Sequence, residues 1–269
     1  MRRFCFNDGS PQPARRGGEE VHDQVLLVTG ASRGIGAATA LLGARKGYAV
    51  AVNYTRNAGA AEEVVAAIRA SGGTALAIQG DVADERQVLA LFAQVDAKLG
   101  RLTALVNNAG IVDQTSRVED MSVERLKHMF DVNVIGSIVC AREAIKRMST
   151  RHGGRGGAIV NVSSAASRLG APGQYVDYAA SKGAIDAFTI GLAKEVAAEG
   201  IRVNAVRPGL IETEIHASGG LPNRVEDLKH QVPMLRGGSA DEVAQAIVWL
   251  LSPEASYTTM SLVEVSGGR

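Results

Sequence analysis

The sequence predicts an α/β fold: a single doubly wound, Rossmann-type domain built on a seven-stranded parallel sheet. Three observations carry that expectation. Seven short apolar runs recur along the 269 residues, each separated from the next by a helical or linking stretch. Most of these runs are continuously apolar rather than alternating, the mark of strands covered on both faces. The first run ends in the glycine turn Thr29-Gly30-x3-Gly34-x-Gly36, which opens directly into a helical stretch. Parallel crossovers are right-handed, so such a chain lays helices on both sides of one sheet and binds ligands beyond the carboxyl ends of its strands.

Taken in order, Val25–Val28 is the first strand and 37–46 the helix after the turn. Residues 48–54 form the second strand. Residues 58–70 form an amphipathic helix with Val64, Val65 and Ile68 on one side. The third strand is 74–79. Asp84 with Gln87 reads as a capping box for a helix over 85–99. Residues 102–106 make a strand ending at Asn107-Asn108-Ala109-Gly110, and one long helix runs from about Ser122 to Met148. Then come a glycine linker at 153–157, a strand over 158–162, a helix over 175–198, and a strand over 202–206 ending at Arg207-Pro208-Gly209. Residues 210–238, with Ile211, Ile215, His216, Leu221 and Met234, have weak periodicity and read as a lid over a medium-sized, partly apolar substrate. A helix over 239–251 and a strand over 261–265 close the chain. The chain divides into a flexible N-terminal extension, residues 1–22, rich in Arg, Pro and Gly, and one dinucleotide-binding and catalytic domain, residues 23–269.

Composition removes several classes of function. Net charge is +1 and aromatic content 4%, so neither an electrostatic nor a base-stacking case for nucleic acid exists. No apolar run approaches 18 residues, which argues against a membrane span. Cys5 and Cys140 have no disulfide or metal spacing, which reads as a reduced, cytoplasmic location and no metal site.

The glycine turn is an anion site in form: a helix N-terminus presents unpaired N–H groups, and glycines let a phosphate approach the backbone. The same turn also occurs without a ligand. Tyr178 and Lys182 stand four residues apart on one helix face, so an ammonium lies one turn from a phenol and could lower its pKa; a surface tyrosine with an unrelated lysine has the same spacing. Ser163 and Ser164 close a strand on the ligand side, either as a substrate-binding hydroxyl or as strand caps. Asn133 is a polar residue inside an apolar helical run, where it needs a buried partner or faces solvent.

Together these residues resemble the short-chain dehydrogenase/reductase family, in particular its bacterial glucose 1-dehydrogenase-like and 3-oxoacyl-carrier-protein reductase-like members. The likeness spans about residues 25–269. It implies an enzyme acting on CH–OH groups that transfers hydride between a nicotinamide cofactor and a carbonyl or secondary alcohol. By that resemblance Tyr178 is the general acid/base, Lys182 lowers its pKa and binds the nicotinamide ribose, Ser164 orients the carbonyl, and Asn133 holds a water that links Lys182 to solvent. The cofactor-binding set implied is Gly30, Ser32, Arg33, Gly34, Ile35 and Gly36 around the phosphates; Asn53, Tyr54, Thr55 and Arg56 after the second strand; Asp81 and Val82 at the adenine; Asn108, Ala109 and Gly110 on the adenosine side; and Tyr178, Lys182, Pro208, Gly209, Ile211 and Thr213 toward the nicotinamide. Two departures stand out. Ser164 lies 14 residues before Tyr178 where many relatives have 13, which leaves Ser163 as a substitute, and Met260 stands where relatives often carry glycine.

The second strand ends without an acid, and Arg33 and Arg56 are placed to pair with a 2′-phosphate. This predicts NADP(H) with some use of NAD(H), although both arginines also fit an ordinary charged surface. Ala180, Gly183, Ala184, Ala187 and Gly191 form a small-residue stripe. It predicts close helix packing in a homotetramer, or packing on the sheet alone. Two other readings are a non-catalytic dinucleotide-binding redox sensor and a methyltransferase on a similar sheet. The sequence names neither the substrate nor the direction of reaction.

Overall fold

The structure, a computed structural model, describes residues 15–16, 19–20, 22–214 and 219–269. Ile215 and His216 of the expected lid lie outside the described residues. Within the expected extension, Arg15–Arg16 pairs antiparallel with Glu19–Glu20.

The main sheet has seven strands: β1 (Val25–Val28), β2 (Ala49–Tyr54), β3 (Ala75–Gln79), β4 (Ala104–Asn107), β5 (Gly157–Val162), β6 (Ile201–Pro208) and β7 (Leu262–Val265). Their order is 3-2-1-4-5-6-7, every pair parallel. Winding reverses between β1 and β4, and that switch is where such sheets open a crevice for a ligand. The helices are α1 (Gly34–Arg45), α2 (Ala58–Ala70), α3 (Glu85–Lys98), α4 (Val123–Phe130), α5 (Gly136–Met148), the short α6 (Ala166–Leu169), α7 (Val176–Val196), α8 (Arg224–Leu228) and α9 (Ala240–Leu251).

The continuous apolar runs are explained by two cores, one on each face. In β1, Val25 and Leu27 pack into a cluster with Phe92, Leu105, Met148 and Leu192, beneath α3, α5 and α7. Leu26 and Val28 point the other way, into a cluster with Val64, Ile68, Val243 and Leu250, beneath α1, α2 and α9. Successive strand residues face opposite sides, so both parities must be apolar. Helix α1 lies so close to β1 that a Cβ on Gly43 would come within 2.6 Å of Leu26 Cδ2.

Several boundaries depart from expectation. Helix α1 starts at Gly34, three residues early, which puts Gly34 and Gly36 in its first turn. The single helix expected over 122–148 is interrupted by a π-helical segment, Asp131–Ile135, across which Gly136 N–H donates to the Asp131 carbonyl. The capping box expected at Asp84 does not form. Asp84 accepts from Arg86 N–H, while Gln87 uses its two-ended amide to donate to Asp84 and accept from Asp81 N–H, tying the helix start to the preceding turn. A capping box does form at Ser239 and Glu242 before α9.

Met260 has φ +64, so the chain needs the left-handed conformation that glycine provides at this turn. Its N–H donates to Val203 C=O at 2.7 Å, which fixes the turn against β6. The left-handed region costs an L-residue about 1–2 kcal/mol, partly offset by the unfolded-state entropy that glycine adds. Met260→Gly is expected to raise unfolding free energy by roughly 0.5–1 kcal/mol. Urea denaturation checks this, and a lower midpoint for the variant would contradict the assignment of strain.

Candidate active site

All the strand-end residues singled out above meet along one edge of the sheet. At the switch point the glycine turn is held by side chains that replace a strand ladder. Thr29 Oγ1 accepts from the N–H groups of Asn108 and Ala109, each at 3.0 Å. Asn108 Nδ2 donates to the carbonyls of Thr29 and Gly30 at 2.9 and 3.0 Å. Gly30 has φ +62 and Gly34 φ +54, and a Cβ on Gly36 would stand 2.5 Å from Asn108 Nδ2. No side chain caps the start of α1, and its first turn carries no acid. A concave backbone surface floored by glycines, facing free N–H groups at the positive end of a helix, fits a dinucleotide pyrophosphate.

Around this cradle the expected cofactor residues take different places. Arg33 and Arg56 are exposed, without an ion pair among the described residues; Ser32, Ile35 and Tyr54 are half-buried and Thr55 is exposed. Asn53 is turned inward and 1% exposed. Its Oδ1 accepts from Gly30 N–H, and its Nδ2 donates to the carbonyls of Ile78 and Gly80. Its amide thus braces the turn between three strands. Asp81 accepts from Ala83 N–H, and Val82 is buried against Gly136. Gly209 meets Ser266 so closely that a Cβ would come within 2.8 Å of its Cα, and Thr213 lies beside Gly34, so the segment after β6 reaches back to the cradle. Ile211 packs its side chain into the core.

The second half of the site is built on α7. Ser164 lies close enough to the Tyr178 phenol to lower its pKa, while its Oγ accepts from Ala166 N–H at 3.1 Å. Ser163 is turned away and donates to the Lys182 carbonyl at 3.2 Å. Of the two serines left open by the spacing, Ser164 is the one beside the tyrosine. Lys182, 5% exposed, donates from Nζ to the Val162 carbonyl at 2.8 Å and sits 5.6 Å from the centre of the Tyr178 ring.

Electrostatics at this pair run against one expectation. Burial pushes the Tyr178 pKa above its ordinary value, and the Ser164 hydrogen bond and the positive charge of Arg224 pull the other way. Lys182 itself is pushed down to about 8 by burial, opposed by the Asp186 carboxylate.

Asn133 lies in the π-helical segment and is fully buried. Its amide bonds both backbone groups of Ile111, accepting from the N–H at 2.8 Å and donating to the carbonyl at 3.0 Å, and it also donates to Ser181 Oγ at 3.1 Å. The side chain is thus spent on fixing the Gly110–Ile111 turn next to Lys182. Gly110 adjoins both groups: a Cβ there would make ordinary contact with Asn133 Oδ1 at 3.4 Å and Lys182 Nζ at 3.5 Å.

Sequence reasoning missed several residues of this region. Asp177, beside the tyrosine, holds Arg125 through two bonds of 2.7 and 3.2 Å. Tyr175, 5% exposed, donates to Gly219 C=O at 3.0 Å and stacks under Arg224, whose guanidinium carbon is 5.1 Å from the ring centre. Beneath them runs a buried chain in which Asn107 donates to Asn161 at 2.9 Å and Asn161 to Thr189 at 2.9 Å. Asn107 and Asn161 could have been found as lone polar residues in two adjacent apolar strands. Arg224 carries no such signal in its exposed-looking context.

Comparison with known proteins agrees with this fold. The family model described as Enoyl-(Acyl carrier protein) reductase matches residues 30–269. A protein of Escherichia coli named uncharacterized oxidoreductase YgfF is 59% identical over 245 residues, covering 91% of this chain and 99% of that one. A 3-oxoacyl-[acyl-carrier-protein] reductase of Synechocystis is 41% identical over 246 residues, covering 91% and 96%. Among solved structures, a double mutant of a Serratia marcescens short-chain dehydrogenase/reductase superposes with a TM-score of 0.84 at 33% identity, covering 92% of this chain and 98% of that one. A dehydrogenase/reductase from Sinorhizobium meliloti gives 0.85 at 30% identity, covering 92% and 95%.

Proposed function

The chain belongs to the short-chain dehydrogenase/reductase family of oxidoreductases, and from that premise we propose that it is an NADP(H)-dependent enzyme interconverting a carbonyl compound and its secondary alcohol. The observation that carries this reading is the meeting of Ser164, the Tyr178 phenol and the buried Lys182 beside the glycine cradle. The nicotinamide supplies the hydride for reduction, or accepts it in the reverse direction. Tyr178 gives its proton to the carbonyl oxygen, so that hydride on carbon and proton on oxygen complete a two-electron reduction. Ser164 donates a hydrogen bond to the same oxygen and fixes its position. Lys182 would hold the ribose, and Asn133 would hold a water that links Lys182 to solvent and returns the proton. The raised phenol pKa keeps Tyr178 protonated at neutral pH, the state that reduction requires. The redox-sensor alternative needs neither Tyr178 nor Lys182, and both are in place. Among the described residues no helix is long and apolar enough to cross a membrane; the cytoplasmic location is part of this proposal.

Tyr178→Phe is expected to keep the fold and cofactor binding while losing at least about a hundredfold in kcat. Ser164→Ala is expected to be far more damaging than Ser163→Ala, because Ser163 bonds only backbone. Steady-state kinetics on a ketone panel checks both, and near-normal turnover in Tyr178→Phe would sink the reading.

For the cofactor, Arg33 and Arg56 flank the end of β2 with no acid between them and no carboxylate holding either. Charge-assisted bonds to a 2′-phosphate favour NADPH by roughly tenfold or more in kcat/KM. Arg33→Ala and Arg56→Ala are each expected to raise KM for NADPH and leave NADH nearly unchanged. A parent enzyme that prefers NADH would refute this.

A homotetramer completes the proposal. Ala180, Ala187 and Gly191 of α7 are exposed, and a Cβ on Gly183 or Gly191 would meet nothing within 4 Å. Val123, Leu126, Ile135 and Ile138 of the α4–α5 unit are exposed as well. Light scattering at micromolar concentration should show four copies; a monomer would end this part of the proposal.

A further inference from the structure

Most charged side chains at the catalytic edge have a partner. Arg125 is held by Asp177, Arg207 by Asp186 and Glu264, and Arg236 by Glu242. Arg202, at the opposite edge of the sheet and without a carboxylate among the described residues, is used by four backbone carbonyls between Leu250 and Thr258. Arg224 differs from all of these. It opens α8, the first helix of the lid after β6. Its guanidinium lies on the Tyr175 ring, and its Nη1 is buried with no hydrogen-bond partner. No side-chain carboxylate among the described residues pairs with it. Arg269 lies near enough that, after burial, the charge of Arg224 further lowers its pKa. Arg224 as a whole is half-buried; leaving one buried N–H of a charged group without an acceptor is costly, and the cost is relieved when an anion arrives.

Its position says where that anion belongs. Tyr175 stands three residues before Tyr178 at the start of α7, and the positive charge of Arg224 is felt by the Tyr178 phenol. The lid is seated here by the bond from Tyr175 to Gly219 and by the close approach of Gly219 to Val112 and Asp113. Arg224 is therefore seated on the Tyr175 ring, about one turn of chain before the Tyr178 phenol its charge acts on. We propose that Arg224 is a specificity-determining residue that binds a carboxylate on the substrate, so that the enzyme acts on oxo acids in preference to neutral ketones. A guanidinium with one face on an aromatic ring keeps its in-plane N–H groups for a carboxylate, which they meet in a paired geometry. Neutral ketones leave the charge uncompensated.

This inference rests on the reductase reading, and the test separates the two. Reduction of 3-oxobutanoate and of its methyl ester by NADPH is compared in the parent, Arg224→Gln and Arg224→Lys. The parent is expected to favour the acid at least tenfold in kcat/KM. The glutamine variant should lose that preference by tenfold or more, and the lysine variant should keep part of it. The acid-to-ester ratio is the readout, so a general loss of activity through a disturbed lid cancels. A parent with no preference for the acid, or a ratio unchanged in Arg224→Gln, overturns the proposal. If neither compound turns over, calorimetric titration of 3-oxobutanoate into the NADP⁺-loaded parent and Arg224→Gln decides the matter of the arginine alone: at least tenfold weaker binding in the variant supports it, and equal affinity overturns it.

Discussion

The site depends on one close approach, that of the turn after β1 to the turn after β4. A parallel sheet offers no ladder beyond its strand ends, so the polar groups of both turns need other partners. Thr29 and Asn108 supply them reciprocally, with two N–H groups converging on one threonine oxygen and two carbonyls on one asparagine nitrogen. Asn53 joins β2 and β3 to the same point. With these bonds made there is no room for a Cβ on Gly30, where Ala109 Cα would be 2.9 Å away, or on Gly36. The cradle is thus rigid because its polar groups are satisfied within the protein, and the free N–H groups at the start of α1 are the ones left to a ligand.

Catalytic placement works against stability at the other half of the site. Lys182 is buried, and its pKa falls from 10.5 to about 8. Between those values the unfolded chain binds more protons than the folded one, so this residue's contribution to stability rises as pH climbs from about 8 to 10.5. At neutral pH the buried ammonium is therefore a destabilising element, retained where its Nζ has Val162 C=O as an acceptor. The asparagine chain below it has the same character. Asn107 and Asn161 satisfy each other and Thr189, yet Asn107 Oδ1 is left buried without a partner among the described residues. Such groups weaken a core and hold adjacent strands in one register.

Much of this was legible in the sequence, for a physical reason: strands buried on two faces must be apolar at every position, and a glycine cradle needs its glycines. Those constraints are local and leave marks in the residue order. The π-helical break at Asp131–Ile135 left no such mark, because it is set by Asn133 reaching across to Ile111, a contact between segments distant in sequence. The bracing by Asn53 left no mark for the same reason: only the packed structure shows its amide donating to the carbonyls of a neighbouring strand. The choice between Ser163 and Ser164 turned on loop length. Helix α6 and the left-handed residues Gly170, Ala171 and Gly173 take up the longer connection and leave Ser164 beside the phenol.

The two halves of the site answer to different constraints. The cradle and the Tyr178–Lys182 helix are built from backbone geometry and from contacts among sheet elements, so they tolerate little change whatever the substrate. The segment after β6 is anchored at few points, Tyr175 to Gly219 and Ile211 to Gly238 among them. Its side chains are not required to fill either main core, apart from Ile211. Residues such as Arg224 can therefore change without cost to the sheet, which makes this segment the place where a shared reaction acquires its own substrate. Arg224 also shows that the separation is incomplete: it stacks on Tyr175 at the start of α7, and its charge lowers the pKa of the Tyr178 phenol.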